Sequence, residues 1–129
     1  MKLLENVKYA KTHEWSRRDG YEITVGLSDF AQHEISDIVH IELPAAGQRV
    51  EAGKPCAVVE SVKAAFDIYA PLSGSIVKIN QDLETTPELP NQDPYGKGWF
   101  FTIKPDNIEE HESLMDAAVY EKFAAEGKH

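Results

Sequence analysis

A mainly β domain with a smaller helical component is the fold class this sequence predicts, and three observations carry it. Short runs alternating apolar and polar side chains recur between residues 21 and 80, turn residues separate them, and helical spacing dominates only after Asn107. The run Tyr21-Glu22-Ile23-Thr24-Val25-Gly26 follows Asp19-Gly20 and reads as a half-buried strand. A short helix should come next, capped by Asp29 with Gln32 returning the hydrogen bond, and with Phe30 and Ile35 as apolar contacts. Val39, Ile41 and Leu43 alternate with His40 and Glu42 in a second clear strand, which Pro44 and Gly47 end. Val50, Pro55–Ser61, residues 66–70 and residues 74–80 then supply the strands of a small barrel or sandwich, with turns at Ala52-Gly53 and residues 71–74.

Residues 84–98 hold Pro87, Pro90, Pro94, Gly96 and Gly98 and read as a long irregular connection, a kind of segment that is functional or pinned by its own side chains. Trp99 and Phe101 should be core aromatics beneath it. From Asn107 the pattern is helical, with at most one break. Asn107 and Glu110 suit a capping box, Glu109, Glu110 and Glu112 suit the positive end, and Leu114, Met115, Ala118, Val119 and Phe123 share a face. A weak internal echo relates Ala46-Gly47-Gln48-Arg49-Val50 to Ser73-Gly74-Ser75-Ile76-Val77, each a glycine opening a strand, on opposite sides of Lys63. Two halves related in this way place Lys63 at the turn joining them.

A chain of 129 residues with 42% apolar content fits one domain, residues 1–129, with one real core. Its formal net charge of -9 repels nucleic acid and anionic membranes and suits partners with basic patches. Met1-Lys2-Leu3-Leu4 leads into polar sequence with no signal-peptide core, and no apolar run reaches membrane-spanning length, so the expected location is the cytoplasm. The single cysteine, Cys56, has no internal disulfide partner and sits in the run Cys56-Ala57-Val58-Val59, where a small thiol packs well; a reactive thiol is the alternative.

Lys63 taken alone is a solvated charge in a surface turn. Its surroundings change that reading. It lies in Glu60-Ser61-Val62-Lys63-Ala64, followed by Asp67-Ile68-Tyr69-Ala70-Pro71 and, ten residues after the lysine, Ser73-Gly74. Lys8-Tyr9, His13-Glu14-Trp15, Val25-Gly26, Ala31-Gln32, Glu42-Leu43-Pro44, Gly47, Pro94-Tyr95-Gly96, Gly98-Trp99 and residues 112–120 stand in matching order. Over nearly its whole length the chain resembles the glycine cleavage system H protein family, in which one lysine at a hairpin tip is amide-linked to lipoic acid. Val62 and Ala64 flank the lysine where biotin carriers place methionines. Lipoyl domains of the 2-oxoacid dehydrogenases place Asp before theirs and lack both the 84–98 loop and the C-terminal helix. Val62-Lys63 holds no Gly, Asn or Asp, so turn chemistry alone does not locate a hairpin there, and the turn rests on the resemblance.

The resemblance implies a barrel-sandwich hybrid of lipoyl/biotinyl type and lipoic acid attached to Lys63. A lysine on a turn held by two strands is open to a lipoate ligase or lipoyltransferase, and the finished arm spans about 14 Å. It also implies a non-catalytic carrier, a monomer, that takes the aminomethyl group of glycine from glycine decarboxylase (P protein) to the aminomethyltransferase (T protein). Dihydrolipoamide dehydrogenase (L protein) then reoxidises the arm. An H-like protein that relays lipoate to other enzymes is the alternative. In this family the loaded arm folds back onto the surface, where a cationic amine needs a carboxylate. The matching acids are Glu14 and Asp67, with Thr12 adding a hydroxyl; each acid is otherwise a solvated surface carboxylate. Phe30 stands where many family members have His, so a polar contact from that position is lost.

The histidines are His13, His33, His40, His111 and His129, widely spaced and without Cys or paired acids at metal-ligand intervals, so no metal site is expected. No nucleophile triad or phosphate loop is legible. His13 and Trp15 should support the groove or core. A reading from another class makes Glu14 and Asp67 paired catalytic carboxylates, which requires turnover by the unmodified chain.

Overall fold

Two β-sheets face each other across a shared core. The computed structural model describes residues 2–127. In chain order the strands are β1 Lys8–Tyr9, β2 Glu14–Asp19, β3 Glu22–Leu27, β4 Ile38–Glu42, β5 Arg49–Val50, β6 Pro55–Ser61, β7 Ala65–Tyr69, β8 Gly74–Ile79 and β9 Phe101–Pro105. The helices are α1 Asp29–Ile35, α2 Asp82–Thr85, α3 Leu89–Gln92, α4 Glu109–Glu112 and α5 Ala117–Ala125. One sheet runs β1-β2-β3-β9-β8-β5 and the other β4-β6-β7, every pairing antiparallel. This is the mainly β, lipoyl-type barrel-sandwich expected.

The core between the sheets is built from alternating inward side chains, among them Ile23, Val25, Ile41, Val59, Ile68, Ile76, Phe100 and Ile103. A second cluster, with Tyr9, Trp15, Tyr95 and Tyr120, fills the outer side of the larger sheet under α5. The two glycine-opened segments of the internal echo pair with each other: Arg49 lies opposite Ser75 and Val50 opposite Gly74. A Cβ at Gly74 would fall 2.1 Å from the Lys104 carbonyl oxygen, so only glycine lets β8 approach β9 here.

Several expectations need correction. The cap of α1 is Ser28, whose Oγ accepts from the Ala31 N–H; Asp29 is the first helical residue and instead accepts from the Gln32 side chain and the Lys2 N–H. Val39 does not face inward. The pairings Ile38 with Ser61 and His40 with Glu60 leave Val39 as an extra residue, and the bulge turns it out to 54% exposure. The C-terminal segment breaks once, as the sequence allowed, into α4 and α5, and the second is capped by Asp116, whose carboxylate accepts from the Val119 N–H. Its buried face is Ala117, Tyr120 and Ala124, whereas Ala118 and Val119 are exposed. The break rotates the helix phase, and a periodicity read across it picks the wrong side. Asn107 accepts from the Glu109 N–H, but the Glu110 carboxylate goes to the Ser73 N–H and forms no box.

The connection over residues 84–98 is pinned as expected. Asn91 accepts from the Ile38 N–H and donates to Gln32 and to the Ser36 carbonyl, while Asn80 donates to the carbonyls of Lys97 and Trp99. Phe101 is fully buried and Trp99 half-buried. Among the described residues no helix is long and apolar enough to cross a membrane.

Candidate functional site

Strands β6 and β7 form a hairpin whose register runs from Pro55 opposite Tyr69 to Glu60 opposite Ala65. Lys63 occupies its tip and is exposed, as are its neighbours Val62 and Ala64. No residue with left-handed preference shapes this turn; Ser61 does. Its Oγ accepts from the N–H groups of Lys63 and Ala64, and its own N–H donates to the Ala64 carbonyl at 2.8 Å. The Val62 N–H donates to the Asp37 carbonyl at 3.0 Å, tying the turn to the segment that enters β4. The backbone at Lys63 is thus fixed, whereas its side chain makes no hydrogen bond or ion pair among the described residues.

Beside the hairpin lies a groove of about 210 Å³, walled by β7, α1 and the segment before β2. Thr12 and Asp67 stand at it, both exposed, with Phe30, Phe66, Leu27 and Ile35 giving an apolar lining. His13 forms part of the wall in a left-handed backbone conformation (φ 77°), uncommon away from glycine. Its Nδ1 lies 2.8 Å from the Tyr120 hydroxyl, which is 2.7 Å from Ser28 Oγ. Its ring packs against Phe30 and Phe123. Tyr120 stacks flat on Tyr9 with centroids 4.4 Å apart, so α5 braces the wall from behind. The supporting role expected of His13 and Trp15 fits this packing: Trp15 is fully buried and donates to the Pro94 carbonyl. Tyr120 and Ser28 were not singled out in the sequence; a serine just before an Asp-initiated helix was the available signal.

Glu14 is not a solvated surface carboxylate. It is 1% exposed, accepts from the Thr12 hydroxyl, and accepts from the Tyr69 N–H at 3.1 Å, joining β2 to the arm hairpin. Burial pushes its carboxyl up to about 7, against the lowering effect of those two hydrogen bonds. Thr12 stands between it and the groove, so Asp67 is the more accessible acid of the two. The two acids have different surroundings, Glu14 being buried and Asp67 exposed on β7. Phe30 lines the groove with an apolar ring where a polar contact is lost. Cys56 is half-buried in β6 with its thiol pushed up to about 12, mainly by burial, as suits a packing residue.

Of the other histidines, His111 is buried and shares a hydrogen bond with Ser16 Oγ, and His33 is exposed on α1. His40 is not isolated in space: cross-strand pairing brings it to Glu60 and Glu42. His129 lies outside the described residues.

A model of the family described as glycine cleavage H-protein matches residues 7–127. The glycine cleavage system H protein of Acinetobacter baumannii is 51% identical over 115 residues, covering 89% of this chain and 93% of its own length. That of Thermus thermophilus is 52% identical over 114 residues, covering 88% and 89%. The crystal structure of a glycine cleavage system H protein from Mycobacterium marinum superposes with a TM-score of 0.84 at 30% identity, over 97% of this chain and 98% of that one. A lysine held at a braced hairpin tip beside an apolar groove, on a fold and sequence shared at this level, places the chain in the glycine cleavage H-protein family, the lipoyl carriers of the glycine cleavage system.

Proposed function

We propose that this protein carries lipoic acid on Lys63 and moves the aminomethyl group of glycine from the decarboxylating P protein to the aminomethyltransferase T protein, with reoxidation by the dihydrolipoamide dehydrogenase L protein. The observation that supports this most directly is the Lys63 hairpin: the backbone is fixed by Ser61 and Asp37 while the amine stands free in solvent. The residues fit a lipoyl group. An exposed primary amine on a rigid turn suits acylation by a lipoate ligase or lipoyltransferase, and a narrow groove with Phe30, Phe66 and Leu27 suits an aliphatic chain. When bound, the group supplies a disulfide that accepts the one-carbon unit and is reduced in doing so.

The chain's own residues then have separable tasks. Lys63 tethers the group, raising its concentration at a docked partner's active site without any catalytic step of its own. The groove shelters the arm from water through its apolar lining. Asp67, Glu34 and the Thr12 hydroxyl are exposed polar groups at its rim. A cationic amine arriving there meets an exposed carboxylate, Asp67 on β7 or Glu34 on α1, and draws on Glu14 through Thr12, whose hydroxyl already donates to it. That approach favours the charged form of Glu14, opposing the burial that holds it near neutrality.

Incubation of the purified chain with lipoate, ATP and a lipoate ligase, followed by peptide mass mapping, should place one lipoyl group on Lys63. Lys63→Arg should fold normally, take up none, and support no glycine cleavage with the three partner proteins present. Wild-type cleavage by Lys63→Arg refutes the carrier reading, and normal lipoylation without cleavage points to the relay of lipoate.

A further inference from the structure

The outer face of the three-stranded sheet gathers three donor side chains that the carrier reading does not use. His40 and Glu60 are direct cross-strand partners on β4 and β6, and Glu42 lies two residues along β4, hence on the same face. One ring nitrogen of His40 and one carboxylate oxygen from each of Glu42 and Glu60 all lie within 4.8 Å of one another. All three side chains are exposed, and none makes a hydrogen bond or ion pair among the described residues. Two carboxylates therefore stand together beside an imidazole, with no Lys or Arg paired to them among the described residues, on a chain of net charge -9. Sequence spacing concealed the set because Glu60 reaches the others only through strand pairing.

We propose that His40, Glu42 and Glu60 form a binding site for a divalent transition-metal ion of the zinc class. Zinc takes imidazole nitrogen at about 2.0–2.1 Å and carboxylate oxygen at about 2.0–2.2 Å, which in a tetrahedral set places donors roughly 3.4 Å apart. Closing from 4.8 Å or less needs movements of about 1.4 Å, within reach of side-chain torsions on three exposed residues. The imidazole discriminates: it favours zinc, copper or nickel, whereas calcium and magnesium prefer all-oxygen sites. Three protein donors leave a fourth position for water or an exogenous ligand, the arrangement of an open site.

Its place in the fold gives the site a consequence. Glu60 pairs with His40 on one side and with Ala65 on the other, three residues before Lys63, so a bound ion joins β4 to the foot of the arm hairpin. The contact falls beside the bulge at Val39, where the β4–β6 ladder is interrupted and cross-strand bonding is weakest. An ion there reinforces a gap in the ladder and stiffens the strand that presents the arm.

Titration of the full chain with zinc against a competing chromophoric chelator tests this, with backbone and imidazole NMR as a second readout. Expected are one ion per chain, His40 ring and β4–β6 amide resonances that shift, and no displacement by excess calcium. His40→Ala and Glu60→Gln, both on an exposed strand face, should each weaken binding by at least about tenfold with the fold retained. His33→Ala, on the exposed face of α1, should bind as the parent does. Zinc affinity unchanged in His40→Ala overturns the proposal, as does zinc binding that leaves the His40 resonances unmoved.

Discussion

Glu14 should make the protein less stable as pH rises from acid toward neutrality. The carboxyl titrates near its ordinary 4.5 in the unfolded chain and at about 7 in the folded one, because burial beside Thr12 and Tyr69 disfavours the charge. Between those two values the folded state holds a proton that the unfolded state has released, so unfolding free energy falls with increasing pH. At about 1.4 kcal/mol per pH unit, a rise from 4.5 to about 7 removes about 3 kcal/mol across the window, with little further loss above it. His111 acts in the opposite sense, since burial lowers its titration and its contribution is lost as pH falls. The variant Glu14→Gln isolates the effect: its amide can still accept from the Tyr69 N–H and bond to the Thr12 hydroxyl, but it cannot ionise. Urea denaturation of both proteins at intervals from acid to mildly alkaline pH should show the advantage of Glu14→Gln growing by about 3 kcal/mol and then levelling off. A difference independent of pH, or one that grows toward acid, refutes the assignment of a buried, proton-retaining carboxylate.

Two further outcomes follow from the hairpin itself. With its thiol pushed from an ordinary 9.0 to about 12, Cys56 has roughly a thousandfold less thiolate than a free cysteine at the same pH. A disulfide reagent should label it slowly in the folded protein and at the rate of a model thiol in urea; equal rates in both refute the packing role. Ser61→Ala removes the oxygen that holds the Lys63 and Ala64 N–H groups, at a cost of about 1 kcal/mol or less overall. Amide exchange at those two positions should accelerate and ligase-catalysed lipoylation should slow, and unchanged exchange would remove Ser61 as the organiser of the turn.

The strands with clean alternation were legible. Pro55–Ser61 carries the bounds expected for it, and β3, β7 and β8 lie within one residue of theirs, because their apolar residues alternate with polar or small ones in the sequence, even in β3, where nearly every residue is buried. What escaped notice is polar or doubly buried. In β2 the side chains of Glu14, Trp15 and Ser16 are all buried, since the second cluster covers the outer side of the sheet there, so no alternation survives. At the start of β9 Phe101 and the residue before the strand, Phe100, are both buried, hiding the strand inside an apolar run. The site divides in the same way. Lys63 was singled out through matched motifs and lies exposed at the hairpin tip, and Thr12 and Asp67 do line one groove, but Glu14 was expected at the surface because a charged residue gives no sign in sequence of a partner N–H contributed 55 residues later.

The burial of Glu14 and the order of the hairpin are connected. Glu14 accepts from the N–H of Tyr69, a residue of β7, the edge strand of the smaller sheet, while its own backbone belongs to the larger one. A strand with one open edge holds its position through its single neighbour and through such lateral contacts. The hydrogen bond to Tyr69 therefore fixes the groove side of the hairpin, as Ser61 and Asp37 fix its tip. A freely solvated carboxylate would be charged at neutral pH but would give no such brace, and a permanently neutral side chain would not respond to a cation. At about 7, Glu14 holds β7 in place in either protonation state and remains able to ionise when positive charge reaches Thr12. Under the proposed carrier role, positioning and charge response are combined in one side chain, and Glu14→Gln should keep the first while losing the second.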